Sequence, residues 1–343
     1  NEAYGLAVDV SGDTIIVGRP GRSGNTGQVE FFNRNRNGTN TWIYAGSLLG
    51  TSQRANRYFG STVALDGDTA LIGAPGDNFT NGAVHIARRT AGATNMWVEV
   101  KRIPSPEPQL NDAFGRNVAL SGDTALVSAY SLGKAYLFER NRGGTNAWGL
   151  AATLIPTNDS GVVYGGINAV SLCGDVAVLG DPFATVDGTN GAGAAWVFAR
   201  NAGGSNAWGQ VAVLRRDEPG ALDQFGYDVA VSGDGVFVGV PRDDGASTTN
   251  AGRALLFSGH PFAPPRIESI VKTGTVAEVS FPAQPAWRYD VEGSLDLLSG
   301  LWISLPGLTD LPGPTDGTLT ISHTNVFGMT LYRVTREEPS VGP

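Results

Sequence analysis

The stretch FGSTVALDGDTALIGAPGDN, Phe59 to Asn78, decides the fold. An aromatic-glycine pair opens it. An alternating apolar run follows, then Gly67-Asp68, a second apolar run and Gly-Ala-Pro. Two short apolar runs joined by a Gly-Asp pair read as a tight β-hairpin. The Gly-Asp pair recurs at Gly12-Asp13, Gly122-Asp123, Gly174-Asp175 and Gly233-Asp234, so the five copies are spaced 55, 55, 52 and 59 residues apart. A tryptophan follows at Trp42, Trp97, Trp148 and Trp208. The aromatic-glycine start returns as Tyr4-Gly5, Phe114-Gly115 and Phe225-Gly226. The fourth copy departs from this phase: Tyr164-Gly165-Gly166 comes early, which predicts a bulge there.

Each copy contains four strand-like runs. In the second they are STVAL, TALIGA, AVHIAR and WVEVKRI. One such sheet cannot bury both faces, whereas several packed radially can. No stretch sustains a 3.6-residue apolar period, which excludes a helical repeat. The reading is an all-β fold: a five-bladed β-propeller of four-stranded antiparallel blades over residues 1–258, starting near 4, 59, 114, 165 and 225. The proline-rich stretch HPFAPP then marks a linker, 259–265. Alternating runs in 266–343 predict a small C-terminal β-sandwich. Blade 5 has no Trp-bearing fourth strand, so Arg266 to Lys272 is expected to complete it, unless its edge stays open to strand addition by another chain.

Composition narrows the function. A formal charge of −8 argues against a nucleic-acid partner, since phosphate binding needs a basic face. No apolar run approaches the roughly 18 residues of a membrane span. Cys173 is the single cysteine, so no internal disulfide framework exists.

The phrase Phe-Gly, ALIGAP, GAVHIARR resembles the FG-GAP repeat, which builds the β-propeller of integrin α subunits and of many secreted bacterial proteins. The loop RNRGGTNAWG (Arg140 to Gly149), with its relatives RNRNGTNTW and RNAGGSNAWG, is similar to the bacterial branch. The resemblance implies a secreted or cell-surface setting with the signal peptide already removed. It fixes no single function, because propellers host many. Integrin-type calcium loops are not expected: SGD and DGD turns are too short to wrap six to eight oxygens. No cofactor or metal is expected.

The loops between second and third strands vary, as do those between blades. Variable loops on a rigid scaffold are where binding happens. The expected contact surface for a protein or glycan comprises Arg19, Arg22, Asp77, Phe79, Tyr130, Phe183, Asp243 and Asp244. The turn aspartates read as local turn chemistry with backbone N–H groups, and the tryptophans as blade-packing anchors. Asn37, Asn78 and Asn158 begin N-x-[ST] sequons. His85 falls in an ordinary strand register, and His260 and His323 lie outside the repeats.

The expected function is a non-catalytic extracellular interaction, adhesion or structural subunit, with self-association through blade 5 or the C-terminal module. The alternative is a glycan-cleaving enzyme. Asp9 and Asp228 are the acids on otherwise Val- and Ala-lined inner strands, and a closed ring would bring their blades together as a carboxylate pair.

Overall fold

The computed structural model describes residues 2–34, 40–50, 55–77, 81–90, 96–109, 111–157, 162–163, 166–204, 206–232, 235–244 and 250–257, with the C-terminal strands 269–273, 276–282, 288–294, 303–304, 311–312, 318–324 and 331–337. Two compact units result, Asn1–His260 and Pro261–Pro343.

The first unit is a β-propeller of five successive antiparallel blades. Blade 1 consists of Val8–Ser11, Thr14–Arg19, Gln28–Arg34 and Trp42–Leu48. Blade 2 is Thr62–Asp66, Thr69–Ala74, Ala83–Arg89 and Trp97–Pro104. Blade 3 is Phe114–Ser121, Thr124–Ala129, Lys134–Glu139 and Gly149–Leu154. Blade 4 is Ala169–Cys173, Val176–Asp181, Ala194–Arg200 and Trp208–Leu214. Blade 5 has three strands among the described residues, Val229–Ser232, Gly235–Val240 and Arg253–Phe257. The Gly-Asp pairs are two-residue turns, as in Asp66 opposite Thr69. Gly12, Gly67, Gly122 and Gly174 hold φ between +54° and +56°, where a Cβ is disfavoured. The fifth turn, Gly233-Asp234, lies outside the described residues, as do Tyr164 and Gly165. First and second strands of blade 4 pair without a register break. A bulge occurs instead between third and fourth strands in each of blades 1 to 4, for example at Leu137/Phe138.

The core lies between blades. On the first strands of blades 2 to 5, side chains four and two residues before the turn glycine face the preceding blade; Val63 and Leu65 are buried with Ile16, Phe31 and Trp97. The ring of Trp97 stacks on Phe31 of blade 1 at 4.4 Å and 3°. The aromatic-glycine pair and the Gly-Ala-Pro glycine prove to be halves of one interlock. Phe59, Phe114 and Phe225 are fully buried and bridge in parallel to Gly27, Gly82 and Gly193 of the preceding blade. A Cβ on Gly27 would lie 2.1 Å from the Phe59 carbonyl oxygen, and one on Gly73 would lie 2.2 Å from that of Gly115. No side chain fits at Gly27 or Gly73, whereas in blade 3, which precedes the out-of-phase fourth copy, Ser128 stands at the Gly73 position.

A polar ladder follows the first strands. The turn N–H of Gly67 donates to Ser11 Oγ, that of Gly122 to an Asp66 carboxylate oxygen and that of Gly174 to Ser121 Oγ, at 2.6 to 3.0 Å.

The second unit holds two antiparallel sheets of a small β-sandwich module. Val276–Pro282 pairs with Ser269–Thr273 on one side and Thr318–Thr324 on the other. In the second sheet Arg288–Ser294 pairs with Leu331–Glu337, and with the short segments Ile303–Ser304 and Leu311–Pro312. This corrects the expectation for blade 5. Ser269 to Lys272 is committed to the second unit's sheet, and no described strand covers the outer edge of Arg253–Phe257.

Candidate functional site

The loops joining second and third strands sit beside those that enter the next blade, and the backbone laces them together. Asn56 N–H donates to the Gly24 carbonyl and Tyr58 N–H to that of Asn25. Leu222 and Gln224 donate in the same way to Asn190 and Gly191. The residue before each plug, Ala3, Tyr58, Ala113 or Gln224, holds a positive φ between 48° and 62°. In the last three the left-handed step delivers the following phenylalanine ring into the preceding blade, so the strain recurs with the repeat. The loop face is therefore a fixed surface with variable side chains.

The structure separates the expected contact residues. Phe183 and Asp244 are exposed, and Arg22 and Tyr130 are half-buried. The Arg116 guanidinium lies over the Tyr130 ring at 4.4 Å. Arg19 is held by Glu2 and approaches Glu30 at 3.8 Å. Phe79 lies outside the described residues, as do Asn37, Asn78 and Asn158. Asp77 and Asp243 are buried, which corrects their placement as exposed contacts: arginines draw both under the loops. Exposed Tyr58 and Leu222 belong to this face and were missed, because they precede the plugs rather than filling the variable loops.

Beneath the loops of blade 2 lies an ionic cluster that the sequence reading also missed. Arg57 Nη2 donates to Asp77 Oδ2 at 2.7 Å and Arg102 Nε to the same oxygen at 2.8 Å. His85 is completely buried, with Nε2 3.1 Å from Arg57 Nη2 and Nδ1 2.8 Å from Glu99. Burial opposes the charge on Asp77, but nearby His85 and the guanidiniums of Arg57 and Arg102, which hydrogen-bond to it, outweigh it and hold the carboxyl well below the usual range. The matching carboxylate of blade 5, Asp243, has looser contacts: Arg216 at 3.3 Å and Arg253 at 3.4 Å. Acids and bases neutralise one another in the blade 2 cluster, which makes it a buried fastening rather than a reactive centre. No group of three or more potential metal ligands occurs among the described residues.

The opposite face carries a repeated motif. Each described turn aspartate pairs with an arginine at or just past the end of its blade's third strand: Asp13 with Arg34, Asp68 with Arg89, Asp123 with Arg140, Asp175 with Arg200. Arg34, Arg140 and Arg200 also lie 5.0 to 5.5 Å over the ring of their blade's tryptophan. Arg89, Arg140 and Arg200 reach on to Thr14, Thr69 and Thr124 of the preceding blade. The aspartates thus bind arginine side chains rather than the local backbone. A cleft of about 380 Å³ opens between blades 3 and 4, lined by Asp123, Glu139, Arg140, Arg142 and Arg200, and each of its three arginines is already paired with a carboxylate.

Asp9 and Asp228 are not assembled into a pair. Asp9 accepts the N–H groups of Leu65 and Val10 at 2.7 and 2.8 Å, a junction role. Asp228 accepts the N–H of Val229. Their blades are the first and last, whose first strands do not pack on one another as neighbouring first strands do.

Residues 42–87, 97–139 and 208–257 match the family model of the FG-GAP repeat. Those three segments are FG-GAP repeats. No curated protein matches it in sequence. Among solved structures, one named as a 6-phosphogluconolactonase from Bacteroides fragilis aligns with 92% of this chain and 87% of its own length. The TM-score is 0.48 at 11% identity, a level that carries no argument. The FG-GAP assignment therefore rests on the repeat matches and on the blades themselves. No helix among the described residues is long and apolar enough to cross a membrane.

Proposed function

We propose that this FG-GAP propeller is a non-catalytic extracellular binding module that engages a protein or glycan through its loop face. One observation carries the reading: backbone hydrogen bonds hold the loops of that face in place while exposed Tyr58, Phe183 and Leu222 change from blade to blade. Fixed loops with variable aromatic and apolar tips suit recognition, since little ordering entropy opposes binding. The secreted or surface location, and the adhesion or structural role, belong to the same proposal.

The test is binding of the labelled chain to arrays of glycans and of extracellular matrix proteins, with hydrolysis of the same glycans followed in parallel. Saturable binding that Tyr58→Ala with Phe183→Ala weakens at least tenfold, without glycan turnover, supports the reading. Turnover abolished by Asp9→Asn with Asp228→Asn would replace it with the glycosidase alternative.

A further inference from the structure

The seam between blades 2 and 3 differs from its neighbours in charge. Strand alternation and cross-strand pairing set which side chains face the next blade. Ile86 is buried in one cluster with Phe114 and Val118 of blade 3. Arg88, two residues on, leaves the same face of the sheet, and so does Lys101, the cross-strand partner of Ile86. Blade 2 therefore turns two cations toward blade 3. The equivalent positions hold Asn33 and Gly46 in blade 1, Glu139 and Ala152 in blade 3, and Ala199 and Ala212 in blade 4. None of those is a cation.

Neither cation of blade 2 is compensated. Lys101 is exposed and Arg88 is half-buried, with its Nε enclosed and lacking a hydrogen-bond partner. No carboxylate among the described residues pairs with either side chain. The nearby acids are engaged elsewhere. Asp68 holds Arg89, which turns the other way to Thr14 of blade 1. Asp123 holds Arg140, which crosses the seam to Thr69 of blade 2 at 2.9 Å. An enclosed guanidinium N–H without an acceptor is unfavourable, so the seam is short of one anion.

The next seam shows what fills such a place. Between blades 3 and 4, Glu139 stands at the Arg88 position and accepts Arg200 Nη1 at 2.6 Å, Arg200 being the counterpart of Arg140. There the chain supplies the carboxylate itself. Between blades 2 and 3 it supplies a second guanidinium instead.

We propose that the seam between blades 2 and 3 binds the oxyanion group of a small ligand, a carboxylate or a sulfate ester, with Arg88 as the principal donor and Lys101 at the rim. A guanidinium presents paired N–H donors that match either group. Arg88 is paired with Thr69, beside the Gly67-Asp68 turn, so the site lies on the face opposite the variable loops. It goes beyond ligand binding at the loop face and uses none of its residues.

The test is calorimetric titration of the full chain with glucuronate and with glucose 6-sulfate, and with glucose as the uncharged control. Saturable binding of one or both acids and none of glucose is expected, and the acid that binds identifies the group. Arg88→Gln should weaken binding about tenfold or more, and Lys101→Gln about threefold. Arg88→Glu puts the carboxylate of blade 3 into this seam opposite Arg140. It should abolish anion binding and raise the unfolding midpoint, as the bound acid does for the wild-type chain. That rise also shows the variant to be folded. A wild-type chain that binds neither acid overturns the proposal. So does binding that survives Arg88→Gln undiminished, or glucose binding as tight as that of the acids.

Discussion

The junction between blades 2 and 3 and the two end faces of the propeller present the same sequence motif in two states. At the junction Phe114 is buried against Gly82, and Val118 packs with Leu71, Val84 and Ile86. At the ends Tyr4, Val8, Phe237 and Leu256 occupy equivalent positions in solvent. A repeat residue thus has no fixed energetic value. Its contribution depends on whether the next blade is present, as expected when stability is a sum of unit and nearest-neighbour terms.

Substitution of the plug should show the largest contrast. Phe114→Ala is expected to destabilise the propeller by about 3–5 kcal/mol, the usual cost of emptying a buried aromatic site. Tyr4→Ala should change the dilute monomer by no more than about 0.5 kcal/mol. Urea unfolding followed by Trp97 fluorescence measures both, and equal losses would abolish the distinction between junction and end.

The buried ionic clusters sharpen the comparison. Asp77→Asn leaves Arg57 buried without its carboxylate and should cost about 3 kcal/mol. Asp243→Asn should cost less, because its arginine contacts are longer and Arg253 is half exposed. The pH dependence has a definite sign. The folded pKa of Asp77 is depressed, so its contribution is complete above the unfolded value near 3.8 and is lost as pH falls below it. Acid titration of the Asp77→Asn protein should lack that part of the loss.

Close approach of backbones gives a smaller effect. Gly73→Ala drives a Cβ to 2.2 Å from the Gly115 carbonyl oxygen and should cost about 1–3 kcal/mol as overpacking. Gly239→Ala, at the same position in blade 5, should be tolerated within about 0.5 kcal/mol. The least effect is expected at the polar staple: Arg140→Gln should cost no more than about 1 kcal/mol, and less in high salt, because its partner Asp123 is exposed.

The blades were legible because their signals are local. A Gly-Asp turn between two apolar runs specifies a hairpin without reference to the rest of the chain, and its return every 52 to 59 residues specifies the stacking. The fate of Arg266 to Lys272 was not legible, because any alternating run pairs equally well with either neighbouring edge until the competing strand Val276–Pro282 is considered. Asp77 and Asp243 read as exposed because acids in Gly- and Pro-rich loops usually are. What buries them is arginine from distant positions, Arg57 and Arg102 for one, Arg216 and Arg253 for the other, and no local pattern announces such pairs. The plug-and-socket relation could have been found: an aromatic-glycine pair and a Gly-Ala-Pro glycine that recur together imply a contact between successive copies.

Hydroxyl-radical footprinting of the dilute monomer tests the central claim, that one junction surface is closed inside the chain and open at its ends. Phe237 and Leu256 should be oxidised rapidly, while Leu126 and Leu137, their blade 3 equivalents, stay protected. Equal protection of all four would contradict the account, because blade 5 would then already have a neighbour within a single chain.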